Sequence, residues 1–192
     1  MTELFFVFIA ACLANNLVLD YLIGLSPIFA VSRKIETAFG LSLAMLLITP
    51  LTSLLTFAVN FYILSPLNLQ YLQLLMFVII VSLTLFSVER LLKLSRPALH
   101  EQVSVFIPLL MVNTALIGAA LLNIQANQGL PESLLFGIGS AIGFGIVLII
   151  LTSLRERIMV SDVPASFQGA SILLITLGII SMAFMGFTGI SK

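Results

Sequence analysis

The sequence predicts an all-α polytopic membrane protein of six transmembrane helices, arranged as a 3+3 inverted repeat in one integral membrane domain over residues 1–192. Three observations carry that expectation: an apolar composition, long gaps between charges, and basic residues confined to alternate loops. Of the 192 residues, 60% are hydrophobic and only 8% are charged, whereas a soluble domain is nearer half apolar and a quarter charged. Burial does not rescue a soluble reading, because a domain of this size leaves much of its surface in water and needs polar side chains to cover it. A net charge of zero argues against a nucleic-acid partner, whose phosphates demand a basic surface. A mean hydropathy of +1.23 excludes disorder. The single cysteine, Cys12, closes no internal disulfide. No secretory signal is expected, since no basic region precedes the first apolar stretch and no small-residue cleavage site ends it.

The spans follow from the gaps, since a helix crossing the hydrocarbon needs about 20 mostly apolar residues. Residues 4–31 form the first gap, interrupted only by Asp20. Between Glu36 and Glu89 lie 52 residues without a charge, which as one helix would run roughly 78 Å against a core of about 30 Å. This stretch is therefore a hairpin, with its turn at Ser65-Pro66-Leu67-Asn68, where proline fixes φ and asparagine tolerates turn geometry. Gaps at 102–131 and 133–154 are separated by Asn127-Gln128-Gly129-Leu130-Pro131-Glu132, and the last gap runs from Val163 to Ser191 with its helix expected near Phe167.

Basic residues set the orientation, because short loops rich in Lys and Arg stay cytoplasmic. Arg33 and Lys34 lie in the first loop, Arg90, Lys93 and Arg96 in the third, and Arg155 and Arg157 in the fifth; of the eight basic residues only Lys192 is elsewhere. Loops one, three and five then face the cytoplasm, and both termini face outward. A chain whose charges merely flanked its helices would scatter them over both sides.

A weak internal repeat divides the chain at roughly 1–96 and 97–192. Asn16 recurs as Asn113 and Gly40 as Gly137 at an offset of 97, and Glu36-Thr37 resembles Glu132-Ser133 at 96. Each half holds three spans, an odd number that turns the second copy upside down. Such a repeat is expected to break the first helix of each half near the midplane, and the helix breakers expected there are Gly24 and Pro27 in the first half and Pro108 and Gly118 in the second.

Soluble-enzyme machinery is missing: His100 is the only histidine, and no cysteine pair or glycine-rich phosphate loop accompanies it. Beside Glu101 in the basic third loop, His100 reads as a solvated residue, and Cys12 as a small buried apolar one. Asp20 has two readings. A carboxylate within a span is costly and so is usually paired or functional, which makes Asp20 an ion-path candidate; alternatively a nearby helix break leaves it in a wet cavity or capping free N–H groups. Glu89 and Arg90 fit an interface ion pair at the end of the third span. The small-residue run Gly137 to Gly145 is explained by close helix packing, and the fifteen phenylalanines, with no tryptophan, by lipid and helix contacts.

Several fragments in fixed order resemble a known family. They are Ala14-Asn15-Asn16-Leu17-Val18-Leu19, Gly24-Leu25-Ser26-Pro27, Val31-Ser32-Arg33-Lys34-Ile35-Glu36-Thr37-Ala38, Phe106-Ile107-Pro108-Leu109-Leu110, Arg155-Glu156-Arg157, Asp162-Val163-Pro164 and Ala183-Phe184-Met185-Gly186-Phe187. Over nearly its whole length the chain is similar to the A subunits of Rnf electron-transport complexes and to their relatives, the E subunits of sodium-pumping NADH:quinone reductase. The Pro66-Leu67-Asn68-Leu69 turn favours the Rnf branch. The resemblance implies a six-helix inverted repeat paired with a homologous subunit of opposite topology in a multi-subunit complex of the bacterial inner membrane. It also implies that the complex moves electrons between NADH or ferredoxin and other carriers, through flavins and iron-sulfur centres in other subunits, and couples them to ion translocation. In the family the positions held here by Ser26 and Thr114 are cysteines that, with two from the partner, hold a 2Fe-2S cluster near mid-membrane.

The chain departs from the family at those two positions. Iron-sulfur clusters are held chiefly by soft thiolates, and hydroxyls are harder donors that ionise with far more difficulty. Cys12 lies 14 residues before Ser26 and is not at the family's position. The expectation is a subunit that by itself binds no cluster of the usual kind and shows no catalytic residues of its own. Two other functions fit the residues: a stand-alone small transporter, permitted by the broken helices and Asp20, and a structural subunit without a redox role.

Overall fold

The computed structural model describes residues 2–95, 97–111, 113–126 and 129–187. Arg96, Asn127, Gln128, Ser191 and Lys192 of the charge and turn patterns above lie outside the described residues. Within them every regular element is helical: α1 (Thr2–Ile9), α2 (Leu25–Val31), α3 (Ile35–Val59), α4 (Gln73–Ser95), α5 (Pro97–Ser104), α6 (Ile107–Met111), α7 (Thr114–Gln125), α8 (Leu130–Ile158) and α9 (Ala170–Phe184), with short π or 3₁₀ turns at several ends.

Among the described residues four stretches are long and apolar enough to cross a membrane: Ile35–Leu64, Gln70–Ser95, Leu130–Ile158 and Ala170–Phe187. The hairpin expected between Glu36 and Glu89 is present. Its turn closes through Asn68 N–H on Ser65 O at 3.2 Å and Leu69 N–H on Leu64 O at 3.0 Å, with Asn68 at φ 55°. The helix α8 outruns the gap that announced it. Pro131 sits in its first turn, where a missing N–H costs nothing, with Glu132 beside it and Arg155 and Arg157 in the last turn, so the flanking charges complement the helix dipole and lie inside the helix. The last helix instead starts late, at Ala170, because Gly169 takes φ +83° after a 3₁₀ turn at Ala165–Phe167.

The core is built on α3 and α8, the most extensive helix pair, which run antiparallel. A Cβ on Gly145 would lie 3.1 Å from Ser42 Cβ, and one on Gly137 would lie 2.8 Å from Pro50 Cα. The opposite glycines of the same run receive α1 and the π turn Ala10–Ala14 that follows it: a Cβ on Gly139 would meet Phe8 O at 2.7 Å, and one on Gly143 would meet Cys12 O at 2.5 Å. Absence of side chains thus lets two segments approach α8 backbone to backbone.

The two remaining expected spans are in pieces. Phe8 lies against Gly139 and Cys12 against Gly143, while Ser32 reaches Arg155. The first segment therefore travels alongside α8 and in the same direction over about 24 Å. Likewise Phe106 lies against Gly40, Asn113 against Met45 and Asn123 against Ser53, so the second segment follows α3 in the same direction over about 20 Å.

The breaks differ in part from the positions expected to cause them. Gly24, at φ +84°, begins α2 and is a true interruption, in the left-handed region open to glycine. Pro27 and Pro108 fall in the first turns of α2 and α6, where proline starts a helix without losing a hydrogen bond. Gly118 breaks nothing. It lies within α7 and gives room to Ile23, whose Cδ1 is 2.9 Å from where a Cβ would stand. The second half is interrupted ahead of it, before Ile107 and at Asn113.

Candidate functional site

The two broken segments meet. Between the π turn Ala10–Ala14 and α2, residues 15–24 are not helical, and buried backbone there needs partners that a helix would have supplied. Local and distant groups provide them. Asn16 Oδ1 accepts from Val18 N–H at 3.0 Å, and its Nδ2 donates to Cys12 O at 2.9 Å. Ile23 N–H donates to Leu17 O at 3.1 Å and Asp20 N–H to Asn16 O at 3.0 Å. Ser181 of α9 donates its hydroxyl to Leu19 O at 3.1 Å.

Asn113 repeats the Asn16 geometry, its Oδ1 accepting from Ala115 N–H at 2.9 Å; both asparagines are buried. The offset of 97 that paired these residues in the sequence thus marks two like turns. They are linked directly, since Gly24 N–H donates to Thr114 Oγ1 at 3.1 Å. A Cβ on Gly24 would lie 2.8 Å from Ala115 Cβ and 3.0 Å from Phe144 Cε2, so this contact depends on glycine for space as well as for φ.

Ser26, in the first turn of α2, and Thr114, at the start of α7, are both exposed and flank the contact. Asp20 is exposed on the non-helical stretch, off any helix rather than within one. Cys12 is buried in the π turn. His100 departs from the solvated loop expected for it: it is half-buried in α5, and its Nε2 has no hydrogen-bond partner. Glu89 and Arg90 lie inside α4, which continues to Ser95, the first half-buried and the second exposed. Among the described residues no group of three or more His, Cys, Asp or Glu is placed to hold a metal ion.

One residue gains a role the charge pattern did not give it. Arg155 Nη1 donates to Phe29 O at 3.0 Å and to Ser32 Oγ at 2.6 Å, so a cation from α8 closes the C-terminal end of α2, where free carbonyls and the helix dipole favour positive charge. Its only trace in the sequence was its place in Arg155-Glu156-Arg157, which reads equally well as topology.

Among the described residues, regular structure that is all helical, with four long apolar helices and two interrupted segments joined at their breaks, defines a polytopic membrane protein of the broken-helix kind. Comparison with known proteins supplies the family. The family model described as "Rnf-Nqr subunit, membrane protein" matches residues 4–191, and the chain belongs to that family. It is 43% identical to the A subunit of the ion-translocating oxidoreductase complex of Vibrio vulnificus (strain YJ016) over 192 residues, covering 100% of both chains. The proteins of that name from Vibrio cholerae serotype O1 (El Tor Inaba N16961) and Aliivibrio fischeri (ES114) are 43% and 42% identical, again over the full length of each.

Proposed function

We propose that this chain is the A-type membrane subunit of a multi-subunit, Rnf-type complex that couples electron transfer to ion translocation. In this reading it sits in the bacterial inner membrane with six crossings in two inverted triplets, both termini outside, beside a homologous subunit of opposite topology. One observation carries it: the hydrogen bond between Gly24 and Thr114 joins the breaks of the two halves at a point where Ser26 and Thr114 are left exposed. Polar groups on irregular backbone at membrane depth need a protein or aqueous neighbour, which is what a partner subunit seated over this contact supplies.

The donor set at that point does not fit a 2Fe-2S cluster held through this chain. Thr114 Oγ1 already accepts from Gly24 N–H, and two neutral hydroxyls replace the soft thiolates such clusters take. The subunit therefore serves as scaffold for the contact, with flavins and iron-sulfur centres carried by other subunits. Asp20, exposed beside the break, is the ion-path candidate; Asp20→Asn is expected to lower ion uptake at constant electron flux, and unchanged coupling would return it to a structural role.

Affinity purification from native membranes tests the reading. The chain is expected to bring down a homologous six-helix subunit together with flavin- and iron-sulfur-bearing proteins. Iron analysis and paramagnetic resonance are expected to lack the intramembrane cluster, and the double substitution Ser26→Cys with Thr114→Cys to restore it. A chain that purifies alone would favour a stand-alone transporter, and a full cluster signal in the native complex would overturn the scaffold role.

A further inference from the structure

Hydroxyls inside an apolar helix commonly turn back to the carbonyl one turn earlier. Ser42, Thr56, Thr84, Thr152 and Thr176 do so here. Thr49, Ser53 and Ser140 do not, and neither their hydroxyl oxygens nor Asn123 Oδ1 has a hydrogen-bond partner, although none of the four residues is more than 1% exposed.

These oxygens are gathered in one place. With Gly145 on Ser42 and Gly137 on Pro50 and Ser53, the antiparallel register brings Ser140 level with residues 47–50, the turn of α3 that holds Thr49. Ser53 Oγ faces α8, 2.9 Å from where a Gly137 Cβ would stand. From α7, Asn123 Nδ2 donates to Ser53 O at 3.3 Å and to Ser133 Oγ, and the Ser133 hydroxyl donates to Ser53 O at 3.1 Å. Pro50 lies in the same turn of α3, and its missing N–H frees the carbonyl of Leu46.

Both ends of this line lead somewhere. Next to Asn123 and Ser133 a cleft of about 620 Å³ opens at the end of the bundle that lacks Lys and Arg, its wall including Asn60, Tyr62, Ser65 and Gly129, with the Glu132 carboxylate against Gly129. In the other direction Met45, one turn from Thr49, receives Asn113 Nδ2 at 3.4 Å, and Asn113 adjoins Thr114 at the paired breaks.

We propose that these oxygens line a narrow hydrophilic seam that admits water and a small monovalent cation from the Glu132 end of the bundle to the breaks. Buried acceptors demand a donor or a cation, and carbonyl and hydroxyl oxygens suit hard cations. With no carboxylate among them, the donors hold an ion weakly enough for it to leave, which conduction requires. The inference rests on the membrane-subunit reading and assigns a passage to this chain itself.

Silver ion, small, monovalent and thiol-reactive, is the probe. A Cys12→Ala background leaves this chain free of cysteine, and Ser53→Cys or Ser140→Cys then gives it one thiol within the assembled complex in sealed vesicles of either orientation, read on this chain after it is separated from the other subunits. After silver treatment and denaturation, residual thiol is counted with a maleimide. Both positions are expected to be blocked at least tenfold faster than Thr84→Cys and Thr152→Cys, whose native hydroxyls are bonded, and faster from the face that carries residues 65–72. Equal rates at all four positions, or from both faces, would overturn the seam. Should a cysteine variant not assemble, hydroxyl-radical footprinting of the wild-type complex answers the same question: Met45 is expected to be oxidised although fully buried, with the equally buried Phe77 spared, and a spared Met45 would sink the proposal. An intact complex with silver-resistant thiols at Ser53 and Ser140 refutes the seam and leaves the membrane-subunit reading standing.

Discussion

At the level of single residues, glycine is used here chiefly for approach distance. A Cβ on Gly143 would stand 2.5 Å from Cys12 O and 2.7 Å from Asn16 Nδ2, both held by the hydrogen bond between them, so nothing there yields cheaply. Gly143→Ala is expected to destabilise the protein by about 1–3 kcal/mol, the usual cost of overpacking. Gly178→Ala has nothing within 4 Å and is expected to be neutral or stabilising by up to about 1 kcal/mol through helix propensity. Thermal unfolding of the detergent-solubilised protein separates the two, and equal midpoints would show that the α1–α8 approach is looser than its geometry. That the run from Gly137 to Gly145 serves packing was legible from its spacing. Which glycine meets which partner was not, because that depends on a segment 131 residues distant folding alongside. His100 was misjudged for a related reason: its neighbours in sequence are polar, but α5 packs against α3 and α4 and draws the ring half under cover.

At the level of elements, uninterrupted helices are written in the gaps between charges and broken ones are not. Periodicity says nothing about a stretch such as 15–24, whose backbone is satisfied by Asn16, Thr114 and Ser181, two of them far away in sequence. The short helix α2 depends on such distant help most. Seven residues form a marginal helix alone, and Arg155 holds its C-terminal end through Phe29 O and Ser32 Oγ. Arg155→Met is expected to cost about 1–3 kcal/mol, as hydrogen bonds to a charged group do, discounted for its partial exposure. The loss should be local. Arg33 and Lys34, exposed just beyond α2, are expected to become several-fold more sensitive to trypsin, and Ser32→Ala to give a smaller increase that adds little to the Arg155 variant. Unchanged cleavage would mean that α2 is held by its apolar face alone.

At the level of the whole molecule, the outstanding question is whether the broken segments complete their crossings. In the proposed orientation the basic residues of loops one, three and five face the cytoplasm, and α9, entering from the fifth loop, then carries the C-terminus to the other side. The N-terminus reaches that same outer face only if residues 2–31 traverse the bilayer; a segment that dipped in and returned would leave it inside. Parallel travel with α8, from Phe8 at Gly139 to Ser32 at Arg155, argues for passage, since α8 itself is long and apolar enough to span and the two advance together for about 24 Å. Epitope tags on the two ends are therefore expected to be cleaved together by protease added to intact spheroplasts, with a tag in the third loop protected until the membrane is opened. An N-terminal tag protected while the C-terminal one is cleaved would make the first segment re-entrant. That result would overturn the proposed inverted arrangement of the two halves, and with it the reason for proposing that Gly24 and Thr114 lie at the middle of the membrane.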